Sequence, residues 1–213
     1  MALGVLVTSQ TKASVENRMS SSLVLASASP RRRELLNQIG LAHTVLPVNI
    51  DETPLDNEQP LALVTRLAQQ KAEQGFEAAQ GVTNVSQSIV LAADTIVVYQ
   101  GVALGKPIDA DDHNTMLSKL SNKTHQVITA FSIKSSQAVY TEAVSSDVTF
   151  MALNKQQIAN YWLSGEPQDK AGGYAIQGYG ATFVKHLSGS YTGVVGLPLF
   201  ECANALKRFG VEV

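Results

Sequence analysis

Leu23-Val24-Leu25-Ala26-Ser27-Ala28-Ser29-Pro30-Arg31-Arg32-Arg33 passes within eleven residues from an apolar run to a basic segment opened by proline. Leu23 to Ala26 has the length and character of a buried strand. Pro30 at a first helical position costs no hydrogen bond, because that amide has no intrahelical acceptor in any case. Ser29 stands where an N-cap belongs, and Gly40 closes the helical pattern. A strand that feeds a helix in this way opens an α/β unit.

The pattern continues downstream. A strand is expected over His43–Val48, followed by Asp51-Glu52-Thr53-Pro54 and a helix from Pro60 to Phe76 with Leu63, Leu67 and Ala68 on one face. Residues 77–88 read as a loop rich in Gly, Ser, Asn and Gln, and Ile89–Tyr99 as a β-prone run containing Asp94. Gly105-Lys106-Pro107 predicts a turn, and Met116, Leu117 and Leu120 give Ala110–Leu120 helical spacing. Two longer strands, about 125–135 and 138–150, are joined at Ser135-Ser136 and suggest an antiparallel extension of the sheet. An amphipathic helix over 154–163, a glycine-dense stretch with short strands over 170–196, and a helix over 197–208 opened by Pro198 complete a mixed α/β chain. Upstream, residues 1–18 lack the basic segment and long apolar stretch of a secretory signal. They are expected to be a disordered extension ahead of one domain over 19–213, with Met19 as a natural start.

Composition narrows the function classes. Sixteen Lys and Arg against eighteen Asp and Glu leave a net charge of −2, which suggests neither a nucleic-acid coat nor a membrane surface. Cys202 is the only cysteine, so an intramolecular disulfide and a multi-cysteine metal site are excluded, and a reducing cytoplasm fits. An anionic ligand would need positive charge gathered in one cleft.

Four groups of residues carry candidate chemistry. At the Ser27–Arg33 junction, unpaired amides and the positive helix end favour an anion, and Arg forks match phosphate oxygens. Three consecutive arginines splay about 100° apart on a helix, so Arg33 is expected in solvent. Taken alone, the junction also reads as a capped surface helix. Asp94, set among apolar neighbours, needs a metal, a cation or hydrogen bonds to offset its desolvation. Lys71 and Lys106, with the acids Asp51 and Glu52, could supply the cations and hard oxygen ligands that triphosphate hydrolysis uses. Such ligands point to Mg²⁺ or Mn²⁺ rather than zinc. Each lysine taken singly is more often solvated. Finally, Lys170-Ala171-Gly172-Gly173-Tyr174-Ala175-Ile176-Gln177-Gly178-Tyr179-Gly180 allows close backbone approach to a flat ligand, with Gln177 offering both donor and acceptor; a tight sheet-edge turn is the alternative. There is no P-loop and no His-Glu-x-x-His, and the four histidines are scattered.

Ser27-x-Ser29-Pro30-Arg31-Arg32, Ala93-Asp94-Thr95, Gly105-Lys106-Pro107 and Gly189-Ser190-Tyr191…Val194-Val195-Gly196-Leu197-Pro198 resemble, in order and spacing, the Maf family of nucleotide pyrophosphatases. The resemblance runs from about Ser22 to Phe209. It implies an elongated mixed sheet flanked by helices, two lobes with a nucleotide cleft between them, and a cytoplasmic enzyme that is often a homodimer. It further implies Asp94 as general base, Glu52, Lys71 and Lys106 as polar residues of the catalytic cleft, Asp94 and Glu52 as metal ligands, and Ser29, Arg31 and Arg32 as ligand contacts. One branch of that family prefers dTTP and UTP, and a sister branch prefers 7-methyl-GTP. Arg31, Thr95 and Gln177 look like the pyrimidine pattern, whereas the sister branch resembles Tyr, Gln and Glu at those places. A neutral Gln177 suits an uncharged pyrimidine edge, and a carboxylate there would pair with a cationic methylguanine.

The resemblance thus implies a nucleoside triphosphate pyrophosphatase that converts dTTP, UTP and modified pyrimidine triphosphates to the monophosphate and pyrophosphate. Two other readings compete with it. One is a nucleotide-binding regulator of septum formation, and the other is a 7-methyl-GTP pyrophosphatase.

Overall fold

The computed structural model describes residues 22–80 and 88–213, so the expectations for residues 1–18 and for most of the 77–88 loop lie outside the described residues. Strand β1 (Ser22–Leu25) leads through Ala26–Ser29 into helix α1 (Pro30–Gln38). That helix closes with Leu41 N–H on Leu36 O at 3.1 Å and Gly40 N–H on Asn37 O at 3.0 Å, the paired bonds of a Schellman motif. Of the strand expected over 43–48, only Thr44–Val45 pairs, as β2. Leu46 N–H still reaches Leu25 O, but Pro47 has no amide to extend the ladder.

Helix α2 (Pro60–Ala79) runs beyond the expected end at Phe76, because Ala78 and Ala79 are strong helix formers and Ala79 buries itself against the sheet. The long strand β3 (Ser88–Tyr99) turns into the short β4 (Val102–Leu104), and α3 (Ala110–Leu120) follows, capped by Asp109 accepting from Asp112 N–H at 2.8 Å. Strands β5 (Thr124–Lys134) and β6 (Val139–Phe150) form the expected hairpin, and Asn154 and Gln157 form a capping box for α4 (Lys155–Leu163).

The stretch 170–196 departs from expectation. It holds a single strand, β7 (Val184–Ser188), besides 3₁₀ turns at Ala171–Gly173 and Tyr179–Phe183 and a short helix, α5 (Tyr191–Val195). Gly172 and Gly173 take φ of 68° and 70°, a left-handed conformation that no strand accommodates. Helix α6 (Leu199–Arg208) is the last regular element before the described chain ends at Val213.

The strands make one mixed seven-stranded sheet in the order β2-β1-β3-β5-β6-β7, with β4 added to β3. β1 is parallel to β2 and β3, and the remaining pairs are antiparallel. Helices cover both faces of β3, which explains its nearly unbroken apolar sequence. On one face α2 packs against Val90, Ala92, Ile96 and Val98. On the other, α1 and α6 cover Leu25, Leu91 and Phe131, while α3 and α4 cover Val97, Val127 and Phe150.

Gly75 is the point of closest approach between α2 and the sheet. A Cβ there would lie 2.5 Å from Ala26 Cβ and 3.0 Å from Val90 Cγ1. Gly75→Ala gains helix propensity but forces α2 off β1, and the overpacking is the larger effect. The variant is expected to lose about 1–2 kcal/mol net in urea unfolding. A variant as stable as the parent would show that α2 can shift without cost.

The detail that positions the site is the edge of β3 facing away from β5. β1 pairs there with Ser88–Leu91 and β4 with Val97–Tyr99, so no strand covers residues 92–96. The sheet has a gap at Asp94.

Candidate active site

Alternation along β3 sends Asp94 and Thr95 to opposite faces of this gap. Asp94, only 8% exposed, points to α2, where Lys71 falls one turn after Leu67 on the buried stripe. Lys71 Nζ donates to Asp94 Oδ1 at 2.6 Å and pairs with Glu52 Oε1 at 2.5 Å, so one ammonium joins both carboxylates. This is the compensation that an aspartate in an apolar strand requires. Burial alone would raise the Glu52 carboxyl, but hydrogen bonding and charge from Lys71, with the fields of Lys106 and Arg32, hold it below the usual carboxylate range.

Thr95 faces the other side. Thr129 Oγ1 donates to Gly193 O at 2.7 Å, so at the 2.9 Å contact between the two hydroxyls Thr95 is the donor. Thr95 therefore accepts from Arg32 Nη2 at 3.3 Å. Arg32 is locked by two further acceptors, Gly196 O on Nε at 2.9 Å and Ser27 Oγ on Nη1 at 3.1 Å. Burial pulls the Arg32 guanidinium down from its ordinary value, with the negative fields of Asp94 and Glu52 opposing.

Ser29 occupies the N-cap position of α1, but its side chain makes no capping hydrogen bond, contrary to expectation. Its own amide is taken up by Ser27 Oγ at 3.2 Å. The first turn of α1 is thus left without a side-chain cap and faces the cavity, an arrangement that accepts an anion. Arg31 lines the same cavity and makes no ion pair among the described residues; burial lowers it from its ordinary value. Arg33 is exposed and off the cavity, as the helical splay predicted.

A single cavity of about 640 Å³ brings together Ser29, Arg31, Arg32, Glu52, Lys71, Asp94, Thr95, Lys106 and Gln177. The size suits a nucleotide-scale ligand. Asp51 is left out. It accepts from Thr53 N–H at 2.9 Å in a local turn and lies outside this cavity, so of the two neighbouring acids only Glu52 reaches Lys71. Lys170, outside the site residues expected from the sequence, also lines the cavity, paired with Asp169. Burial lowers it, and the nearby cations Arg31 and Lys106 add to the effect. Its place at the head of the glycine stretch was the available signal. Among the described residues no cluster of three or more His, Cys, Asp or Glu could by itself hold a metal ion, and no helix is long and apolar enough to cross a membrane.

The pattern of the family described as Maf-like protein matches residues 22–209. The chain belongs to the Maf family. Relatives of this Maf chain include a dTTP/UTP pyrophosphatase from Pseudoalteromonas atlantica, 49% identical over 189 residues that cover 89% of this chain and 97% of the relative. Proteins of the same name from Pseudoalteromonas translucida and Aliivibrio fischeri are 49% and 46% identical, covering 90% of this chain and 98% and 100% of their own lengths.

Proposed function

We propose that this Maf protein hydrolyses dTTP and UTP to the monophosphate and pyrophosphate. The observation that carries the reading is Lys71 joining Asp94 and Glu52 in the same cavity as the uncapped start of α1, with Arg31, Arg32, Lys106 and Gln177 around it. A buried carboxylate tethered through one oxygen keeps the other for a water, while the arginines and lysines meet the oxygens that gain charge. Relatives 44–49% identical to it carry the name dTTP/UTP pyrophosphatase, which supports the same reading.

In this reading Asp94 takes a proton from a water that attacks the α-phosphorus. The bond from that phosphorus to the α–β bridging oxygen breaks, and pyrophosphate leaves. Arg31, Arg32, Lys71 and Lys106 stabilise the departing charge, a contribution of several kcal/mol when the donors are already in place. Asp94 and Glu52 fit a divalent cation, because two carboxylates plus phosphate oxygens and water are an ordinary Mg²⁺ or Mn²⁺ environment. Such an ion would be held by those two residues and would neutralise triphosphate charge. Gln177, neutral and exposed to the cavity, suits the alternating acceptor, donor and acceptor edge of uracil and thymine.

The test is pyrophosphate release from dTTP, UTP, CTP, GTP and 7-methyl-GTP with and without Mg²⁺ or Mn²⁺. Metal-dependent release, fastest with dTTP and UTP, is expected. Preference for 7-methyl-GTP would overturn the pyrimidine assignment, and no turnover with any of them would overturn the catalytic one.

A further inference from the structure

Gln177 makes no hydrogen bond among the described residues, so nothing in its own side chain fixes where the amide sits. The flanking backbone does. Tyr161, near the end of α4 and fully buried, donates its hydroxyl to Glu166 Oε1 at 2.7 Å and accepts Ala175 N–H at 3.0 Å. Glu166 Oε1 also accepts Gly180 N–H at 3.0 Å, and its Oε2 accepts Tyr179 N–H at 2.8 Å. The Tyr179 ring stacks on that of Tyr161, with centroids 5.9 Å apart.

The segment 175–180 is therefore fastened on both sides of Gln177 to one tyrosine hydroxyl and one carboxylate. It wraps them closely: a Cβ on Gly178 would run into the Glu166 carboxylate, and one on Gly180 would sit 2.6 Å from Tyr161 Oη. Burial would raise the Glu166 carboxyl, but these donors hold it below its ordinary range. A carboxylate in that state is acceptor-only and matches three donors.

We propose that Tyr161 and Glu166 are positioning residues for base selection, holding the 175–180 segment so that the Gln177 amide meets the pyrimidine edge. The inference rests on the reading of the cavity as a pyrimidine nucleotide site. Neither residue lines the cavity, and the groups assigned to phosphate come from β3, α1, α2 and the 52 and 106 segments. Releasing the latch should disturb recognition of the base and leave the handling of phosphate intact.

The experiment compares the parent with Tyr161→Phe and Glu166→Gln. In both variants KM for dTTP is expected to rise by at least about tenfold with kcat retained, since small misplacements of binding groups have effects of this order. The ratio of kcat/KM for dTTP over CTP should fall towards one, inhibition by inorganic tripolyphosphate should be unchanged, and amides of 175–180 should exchange hydrogen faster. Unchanged selectivity, or equal losses for dTTP, CTP and tripolyphosphate, would overturn the proposal. Should the parent turn over no nucleotide, the catalytic reading fails by itself. The same comparison is then made on dissociation constants for the α,β-methylene analogues of dTTP and CTP, where a parent without base preference, or variants that keep it, would overturn the latch.

Discussion

Asp94→Asn is expected to lower turnover of dTTP by roughly 10²- to 10⁴-fold, the range associated with removal of a general base. The substitution preserves volume and an oxygen that can accept from Lys71, which keeps Glu52 as its charged partner at 2.5 Å. The fold should therefore survive, and the loss should appear in kcat at saturating Mg²⁺ or Mn²⁺, because the arginines, Lys106 and Gln177 are untouched. Steady-state kinetics with a parallel thermal melt decide it. Near-parental kcat in a folded Asp94→Asn protein would remove Asp94 from the chemistry, whereas loss of activity together with loss of the melt would show that the residue serves the fold.

Acidification from pH 6.5 to 4 is expected to cost the fold about 3 kcal/mol through His125. His125 is 2% exposed; its Nε2 meets Tyr174 Oη at 2.8 Å, and its Nδ1 is buried without a partner. Burial pushes its pKa down to about 4 from 6.5. Between those values the unfolded chain binds a proton that the folded chain refuses. The contribution is thus fully present above pH 6.5 and disappears as pH falls towards 4. His113 is shifted down as well, chiefly by burial, and acts with the same sign. Urea unfolding at pH 7.5, 6, 5 and 4.5 measures the slope. His125→Gln should be less stable at neutral pH yet flatter between pH 6.5 and 5, and a variant with the parental slope would exclude His125 as its source.

The elements legible in the sequence are those settled by local rules. Met116, Leu117 and Leu120 at helical spacing mark Ala110–Leu120, and Ser135-Ser136 between two β-prone runs makes a hairpin. An aspartate among apolar strand residues announced a partner, and Lys71 on the stripe of α2 supplies it. What escaped depends on contacts distant in the chain. Asp51 and Glu52 are adjacent and chemically alike, yet only tertiary placement decides which one meets Lys71. Ser29 has the ideal residue type for a cap, but its side chain does not make the bond. Of the short strands expected in the glycine-dense 170–196 stretch only Val184–Ser188 forms, because left-handed glycines and the Tyr161–Glu166 fastening leave no periodic trace. Thr129, which orients the Thr95 hydroxyl, is thirty-four positions away along the chain.

Bond breaking and base choice are assigned to different supports: Asp94 stands on the central strand against α2, whereas Gln177 hangs from the end of α4. If the proposed latch holds, changes among residues 161–180 alter which nucleotide is admitted while the hydrolytic machinery keeps its shape. Descendants of such a chain could exchange one diet for another without rebuilding the jaws.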